Sequence, residues 1–450
     1  MTKPNVAKLK TAALATISAV GLFAFAWFSS IPLVFVFLFF IFGAYLLVLS
    51  VTNEDKKYNF FALGFLLVLG IAAASFMQEY SSLSAYLVPV AAVSMLVSLL
   101  YHDLELALIF SVILSIFTGI IYQGDMFLAI VLLIGGVLGS LIVWKARRRF
   151  KIISAGFYVG LVQAVCVLTF FEHSITKIPF VLRLSLFPFL NGIICSSLVA
   201  WLLPLFEYLF KVVTNISLLE LADFNHPLLK RMVLEAPGTY HHSLMVGNLA
   251  EVACEAVGAN SLLARVGSYY HDIGKLDKPE YFSENQDRFS SKHDELSASM
   301  SKLVIMDHVK GGLELAKKSH LNNAIIEFIQ QHHGTSLVFY FYRRAMENAQ
   351  ATEGVQEEVF RYPGPKPQTK ETAIVLLADS VEAACRTLEE PTAERISDMV
   401  RKIINNKFID GQLDACDLTL RDLEKIATTF THILVGFYHS RVEYPSTDAR

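Results

Sequence analysis

The sequence predicts an all-α protein in two parts, a polytopic transmembrane helical bundle followed by a water-facing, all-helical domain. Three observations carry this. Eight apolar runs fill the first 210 residues, charge is split unevenly along the chain, and no segment alternates apolar and polar residues as a half-buried strand would. Residues 1–211 hold 13 Lys+Arg and 8 Asp+Glu, a net of +5, whereas the remainder holds 25 and 33, a net of −8. A hydrophobic fraction of 54% with 18% charged residues is too apolar for a wholly soluble chain, and 450 residues allow two or three domains.

The apolar runs lie near 11–29, 32–51, 60–78, 83–101, 105–123, 126–144, 152–171 and 180–206. Each approaches the roughly 20 residues that a bilayer core demands. Lys3, Lys8 and Lys10 before the first run raise the alternative of a signal peptide. At about 19 residues the run exceeds a typical signal h-region, and Ala-Trp-Phe-Ser-Ser is a poor cleavage site, so an uncleaved span is expected. Lys56 and Lys57 after the second run, and Lys145, Arg147, Arg148, Arg149 and Lys151 after the sixth, fall on the same side as the N-terminal lysines if every run crosses. The positive-inside rule makes that side cytoplasmic. Only Lys177 breaks the pattern. Eight crossings return the chain there, so the second half is expected in the cytoplasm. Gly135 and Gly139 form a GxxxG that lets helices approach. No dimer follows from it, and a homodimer stays open. Arg183 lies near an outer span end, where it can snorkel. No row of intramembrane Asp, Glu or His suggests an ion relay, which disfavours a transporter.

Residues 211–226 read as a linker helix continuing from the eighth span, with Pro227 early in the next helix. Helical periodicity then covers 227–235, 239–257, 260–271, 296–310, 321–332, 335–350, 369–388, 391–406 and 417–440. Thr239 is the expected cap of the helix bearing His242. Residues 277–294 and 351–368 are polar or proline-rich and read as irregular. The five cysteines are odd in number and widely spaced, which indicates neither a disulfide framework nor a thiolate metal site.

The chemistry concentrates around Tyr270-His271-Asp272-Ile273-Gly274-Lys275. His242 lies 29 residues upstream and His308 lies 37 downstream; His332-His333 follow as a doublet and Asp379 closes the set. Five imidazoles and two carboxylates exceed what one metal ion needs and suit two. Adjacent histidines on a helix diverge by about 100°, so His241 and His242 do not both reach one site. A bare Asp379 on the apolar helix Leu376–Val381 is costly without a cation or donor. Imidazole and carboxylate ligands without thiolate suit iron or manganese as well as zinc. Lys275, one turn past His271, is placed to meet a phosphate, with Arg361 and Lys366 as weaker candidates.

In its order, this set resembles the HD-domain metal-dependent phosphohydrolases. Ala236-Pro-Gly-Thr-Tyr-His-His-Ser243, Tyr270-His-Asp-Ile-Gly-Lys275, Gln331-His-His-Gly-Thr335 and Tyr362-Pro-Gly-Pro-Lys-Pro-Gln-Thr-Lys370 resemble one branch. That branch is the bacterial seven-transmembrane HD family of cyclic di-AMP phosphodiesterases. The resemblance implies residues 1–210 as the bundle, 211–226 as the linker and 227–445 as an HD-type phosphohydrolase domain. It further implies hydrolysis of cyclic di-AMP to pApA by a hydroxide activated between two divalent ions, iron or manganese. The implied ligands are His242, His271, Asp272, His308, His332, His333 and Asp379, with Asp272 bridging and His242 preferred to His241 because it immediately precedes Ser243. Expected partners are a cyclic dinucleotide and the lipid bilayer, with no DNA.

Two departures stand out. The family's large extracellular domain between its first two spans has no counterpart here, where only Ser29-Ser30-Ile31 intervenes. Gly334-Thr335-Ser336 also replaces the Gly-Tyr-Pro of the cyclic di-GMP branch. The competing readings are another HD nucleotide phosphohydrolase, acting on cyclic di-GMP or guanosine tetraphosphate, and a non-catalytic membrane receptor.

Overall fold

A computed structural model describes residues 59–80, 82–170, 178–286, 292–348 and 355–438. The chain divides into two compact units, Met1–Ile216 and Ser217–Arg450. Among the described residues every regular element is helical, apart from an isolated antiparallel bridge between Leu337 and Arg361.

The first unit contains α1 (Phe60–Tyr80), α2 (Val90–Tyr101, preceded by a 3-10 turn at Ala85–Leu87), α3 (Leu104–Ile121), α4 (Met126–Val143), α5 (Arg149–Phe170) and α6 (Ile178–Phe210). All but α2 are long and apolar enough to cross a membrane, and Ala85–Tyr101 forms a shorter apolar segment. Five of these match expected spans; of the span expected at 83–101 only Val90–Tyr101 is α-helical, too short to cross by itself, and the first two expected spans lie outside the described residues. Asp103 and Asp125 cap α3 and α4 by accepting the backbone N–H of Leu106 and Leu128.

In lipid, packing rather than water expulsion joins helices, so small residues set the closest approaches. A Cβ added at Gly135 would lie 2.0 Å from Nε2 of the buried Gln163, which donates to the Val131 carbonyl. A Cβ at Gly139 would lie 3.0 Å from Met95, so this GxxxG is used inside the bundle. The tightest seam joins α5 to α6. There a Cβ on Gly192 would come within 2.2 Å of the Gly156 carbonyl oxygen, and one on Gly160 within 2.3 Å of the Phe189 carbonyl oxygen.

The expected continuous linker helix is interrupted. Lys211 takes a left-handed φ of +55° just after α6 ends, and the Glu207 carboxylate accepts the Thr214 N–H at 2.8 Å. A glutamate near the helix end thus captures a donor that a continued helix would have used. Only the seven residues of α7 (Asn215–Leu221) are helical between there and α8 (Pro227–Glu235), where Pro227 occupies the first turn as expected.

The second unit continues with α9 (Pro237–Val257), α10 (Ser261–Tyr270), α11 (Ala298–Lys318), α12 (Asn323–Gln331), α13 (Phe339–Asn348), α14 (Lys370–Cys385), α15 (Ala393–Ile409) and α16 (Leu420–Tyr438). Its core is built on α14, whose stretch Ala373–Ala378 is fully buried, among Val246, Leu249 and Ala250 of α9, Phe328 of α12, Ile396 of α15, and Ile426 and Phe430 of α16. Residues on all sides of α14 are apolar, which explains its weak amphipathic pattern. A Thr369/Thr372 capping box starts it. Thr239 is not a cap: α9 begins two residues earlier, at Pro237, and the Thr239 hydroxyl bonds Glu284 and Asn285.

Candidate metal centre

The seven expected ligands come from five places and converge. His242 lies in the second turn of α9, and His271-Asp272 follow the last residue of α10, where the chain tightens into a 3-10 turn at Ile273–Asp277. Gly274 makes that turn fit, since a Cβ there would lie 1.8 Å from the His308 carbonyl oxygen on α11. His332 and His333 directly follow α12, just before Gly334 with its φ of +53°. Asp379 faces inward from α14.

Two ligand groups result: His242, His271, Asp272 and Asp379 in one, and His308, His332 and His333 in the other. Asp272 stands between them. Its Oδ2 lies 3.2 Å from His271 Nε2 and 3.6 Å from His242 Nε2, and its Oδ1 lies 3.4 Å from His308 Nε2 and 3.5 Å from His332 Nε2. His242 Nε2 is 3.0 Å from Asp379 Oδ1, and His333 Nδ1 is 3.5 Å from Asp379 Oδ2. His241, by contrast, is exposed.

The opposite ring nitrogens are held from outside. His271 donates from Nδ1 to the Ser268 carbonyl at 2.6 Å, His332 to that of Ile329 at 2.9 Å, and His308 to that of Ile305. His242 donates from Nδ1 to Glu382, one helical turn beyond Asp379. This network fixes the tautomers and aims the Nε2 lone pairs inward, at carboxylate oxygens that also carry lone pairs. His271 Nε2 and Oδ1 of Asp272 are buried without a hydrogen-bond partner among the described residues, and Oδ2 meets a single ammonium, that of Lys275 at 2.7 Å. Such a constellation repels itself unless positive charge sits within it. The donor set fits divalent cations.

The electrostatics agree. Burial works against charge on Asp272, yet His271 and Lys275 hold its carboxyl well below the usual range. Burial likewise opposes ionisation of Asp379, which His242 and His271 overcome. On His271 burial disfavours the proton, but Asp272 and Asp379 carry the imidazole up to about 10. In the other group burial prevails and brings His308 down to about 4. Two acids that stay ionised therefore draw in whatever positive charge is at hand, protons or cations.

Among the other expected residues, Lys275 Nζ is 2.7 Å from both Asp272 Oδ2 and Glu284 Oε1. Arg361 pairs with Asp410 and Glu357 and donates to the Thr335 carbonyl, and Lys366 lies 3.2 Å from Asp414. Sequence reasoning missed Glu382, Glu284 and Tyr362, whose ring stacks on His333 at 4.3 Å. Glu382 had a legible signal, a second acid at i+3 from Asp379 on an apolar helix. Glu284 had none, being one of many acids in a polar loop.

Comparison with known proteins adds an independent line. A family model described as a 7TM receptor with intracellular HD hydrolase matches residues 23–214, and one described as an HD domain matches residues 239–384. The chain is 42% identical over 388 residues to the cyclic-di-AMP phosphodiesterase PgpH of Bacillus subtilis, covering 84% of this chain and 54% of that protein. It is 40% identical over 368 residues to the protein of the same name from Listeria monocytogenes, covering 80% and 50% respectively. The chain thus spans about half the length of the curated relatives it matches. Crystal structures of the L. monocytogenes PgpH HD domain, alone and with cyclic-di-AMP, are 49% and 48% identical over 48% of this chain and 100% of theirs, with TM-scores of 0.46.

Proposed function

Because this chain belongs to the seven-transmembrane receptors that carry an intracellular HD hydrolase, we propose that it is a membrane-bound phosphodiesterase that hydrolyses cyclic di-AMP to pApA in the cytoplasm. The observation that carries the reading is the shared Asp272, which offers one oxygen to each of two ligand groups. The names of the two PgpH relatives supply the substrate class. The clusters Lys56-Lys57 and Lys145–Lys151 support a cytoplasmic second unit.

His242, His271, Asp379 and Oδ2 of Asp272 would hold one cation; His308, His332, His333 and Oδ1 would hold the other, iron or manganese suiting this set. Bound divalent cations supply a water acidic enough to attack near neutral pH and neutralise charge building on the phosphate. The chain's own groups prepare that chemistry. Carbonyls of Ser268, Ile305 and Ile329 orient three imidazoles, and Glu382 raises the basicity of His242. Lys275, taken up by Asp272 and Glu284, holds the bridging carboxylate in place rather than reaching for a phosphate. His333, with its side chain 22% exposed against 0–2% for the other four imidazoles, marks the face from which substrate enters.

The test is direct. The full chain in detergent with manganese or iron(II) is expected to convert cyclic di-AMP to pApA in preference to cyclic di-GMP and guanosine tetraphosphate. Combining His271→Ala with Asp272→Ala is expected to abolish turnover, and undiminished turnover in that double variant overturns the assigned centre.

A further inference from the structure

We propose that Lys407 seats the second, uncleaved phosphate of the cyclic dinucleotide, an inference that rests on the substrate reading above. Most cations bordering the centre are already paired. Lys275 is held by Asp272 and Glu284, Arg361 by Asp410 and Glu357, Arg386 by Glu382 and Lys366 by Asp414. Lys407 differs from all four. Near the end of α15 its half-buried Nζ donates to the Ser336 hydroxyl at 2.7 Å, a neutral partner. No carboxylate among the described residues comes within ion-pair reach of it.

An ammonium carries three N–H donors, and only one is used here. Partial burial of a cation without a counter-charge is unfavourable. Burial accordingly lowers the Lys407 pKa, while Asp379 and Asp410 counter it from a distance and Arg361 reinforces it. An arriving anion would supply the missing charge.

Position selects which anion. Ser336 belongs to the turn that leaves the ligand doublet, donating its N–H to the His333 carbonyl at 3.0 Å, and Tyr362, stacked on His333, donates its N–H to the Ser336 carbonyl at 3.0 Å. Lys407 is therefore one hydrogen bond away from the turn that carries the most exposed ligand. A cyclic dinucleotide carries two phosphodiesters across one small ring. When one reaches the metal ligands the other stays close by and brings a full negative charge into a partly dehydrated mouth. Of the five cations named here, Lys407 is the one that no carboxylate among the described residues already pairs.

The assay compares wild type, Lys407→Gln and Lys407→Arg on cyclic di-AMP and on bis(p-nitrophenyl) phosphate, which has one phosphate. A charge-assisted hydrogen bond lost from binding raises KM for cyclic di-AMP by about ten- to hundredfold in Lys407→Gln, with kcat moving far less. Selectivity for cyclic di-AMP over the one-phosphate substrate falls by the same factor, and Lys407→Arg recovers most of it. Equal losses on both substrates, or an unchanged KM, overturn the inference and leave Lys407 as a prop for the turn. A wild type that cleaves only bis(p-nitrophenyl) phosphate sinks the substrate reading, and this inference with it. A wild type active on both, with unchanged selectivity in Lys407→Gln, sinks this inference alone.

Discussion

Replacing Asp272 by Asn strikes the centre at its one shared group. The amide keeps the shape of the carboxylate but loses its charge, and one of its two oxygens becomes an NH2 that repels cations. Since Oδ1 faces His308 and His332 while Oδ2 faces His271 and His242, both ligand groups are weakened at once. Binding of a cation at 100 times its Kd stabilises the folded state by about 2.7 kcal/mol. For a unit the size of residues 217–450, that corresponds to a rise in Tm of about 5–10 °C. Chelation by EDTA removes two such ions and is therefore expected to lower the Tm of manganese-loaded wild type by about twice that, roughly 10–20 °C, and to leave the Asp272→Asn variant almost unmoved. Elemental analysis should in parallel find roughly two metal ions per wild-type chain and a clear deficit in the variant. An Asn variant that keeps its full metal content, its response to EDTA and its turnover would refute a dinuclear site organised by Asp272.

Three further outcomes are expected. Glu382→Gln, which weakens the outer partner of His242, is expected to lower metal affinity or turnover by about 10- to 100-fold, measured by metal titration and by pApA release. Glu284 resists burial's upward push because Lys275 holds its carboxyl down to about 2 from the usual 4.5. A depressed folded-state pKa stabilises the protein above the unfolded value and loses that stability as pH falls through the folded one. Metal-free wild type should thus lose stability between pH 4.5 and 2, and a Glu284→Gln variant with an equally steep loss there, followed by circular dichroism, contradicts the pairing. Gly192→Leu should prevent correct assembly of the first unit, because even a Cβ there would lie 2.2 Å from the Gly156 carbonyl oxygen; detergent-stable, monodisperse variant protein is the adverse result.

How much of this was legible in the sequence depends on the kind of signal. Spans announce themselves by length and apolarity, and five of the six that fall on described residues have long helices within a few positions of those expected, whereas the one at 83–101 starts as a 3-10 turn and is α-helical only from Val90. Asp379 stood out because a bare carboxylate on an apolar helix demands an explanation, and His271, Asp272 and the other candidates by the number and order of the set; the fold does gather them. The break at Lys211 was hidden, because nothing in the run of residues 211–225 tells that Glu207 will take the Thr214 N–H. Thr239 misled for a similar reason: a good capping residue follows Pro237, and the proline, already suited to a first turn, starts α9 without it. Lys407 was invisible, since its interest lies in what its neighbours leave unpaired. Partners distant along the chain are set by packing, which local pattern does not encode.

The glycine seam between α5 and α6 bears on how a stimulus could travel through the first unit. Where one main chain rests directly on another, through Gly156 against Gly192 and Gly160 against Phe189, there are no flexible side chains to cushion a sliding motion. The two helices must tilt or translate together, as one stiff lever. A rearrangement in this part of the molecule falls more readily where helices meet through side chains, as at the hydroxyls of Ser94 on α2 and Ser111 on α3, which meet at 2.9 Å.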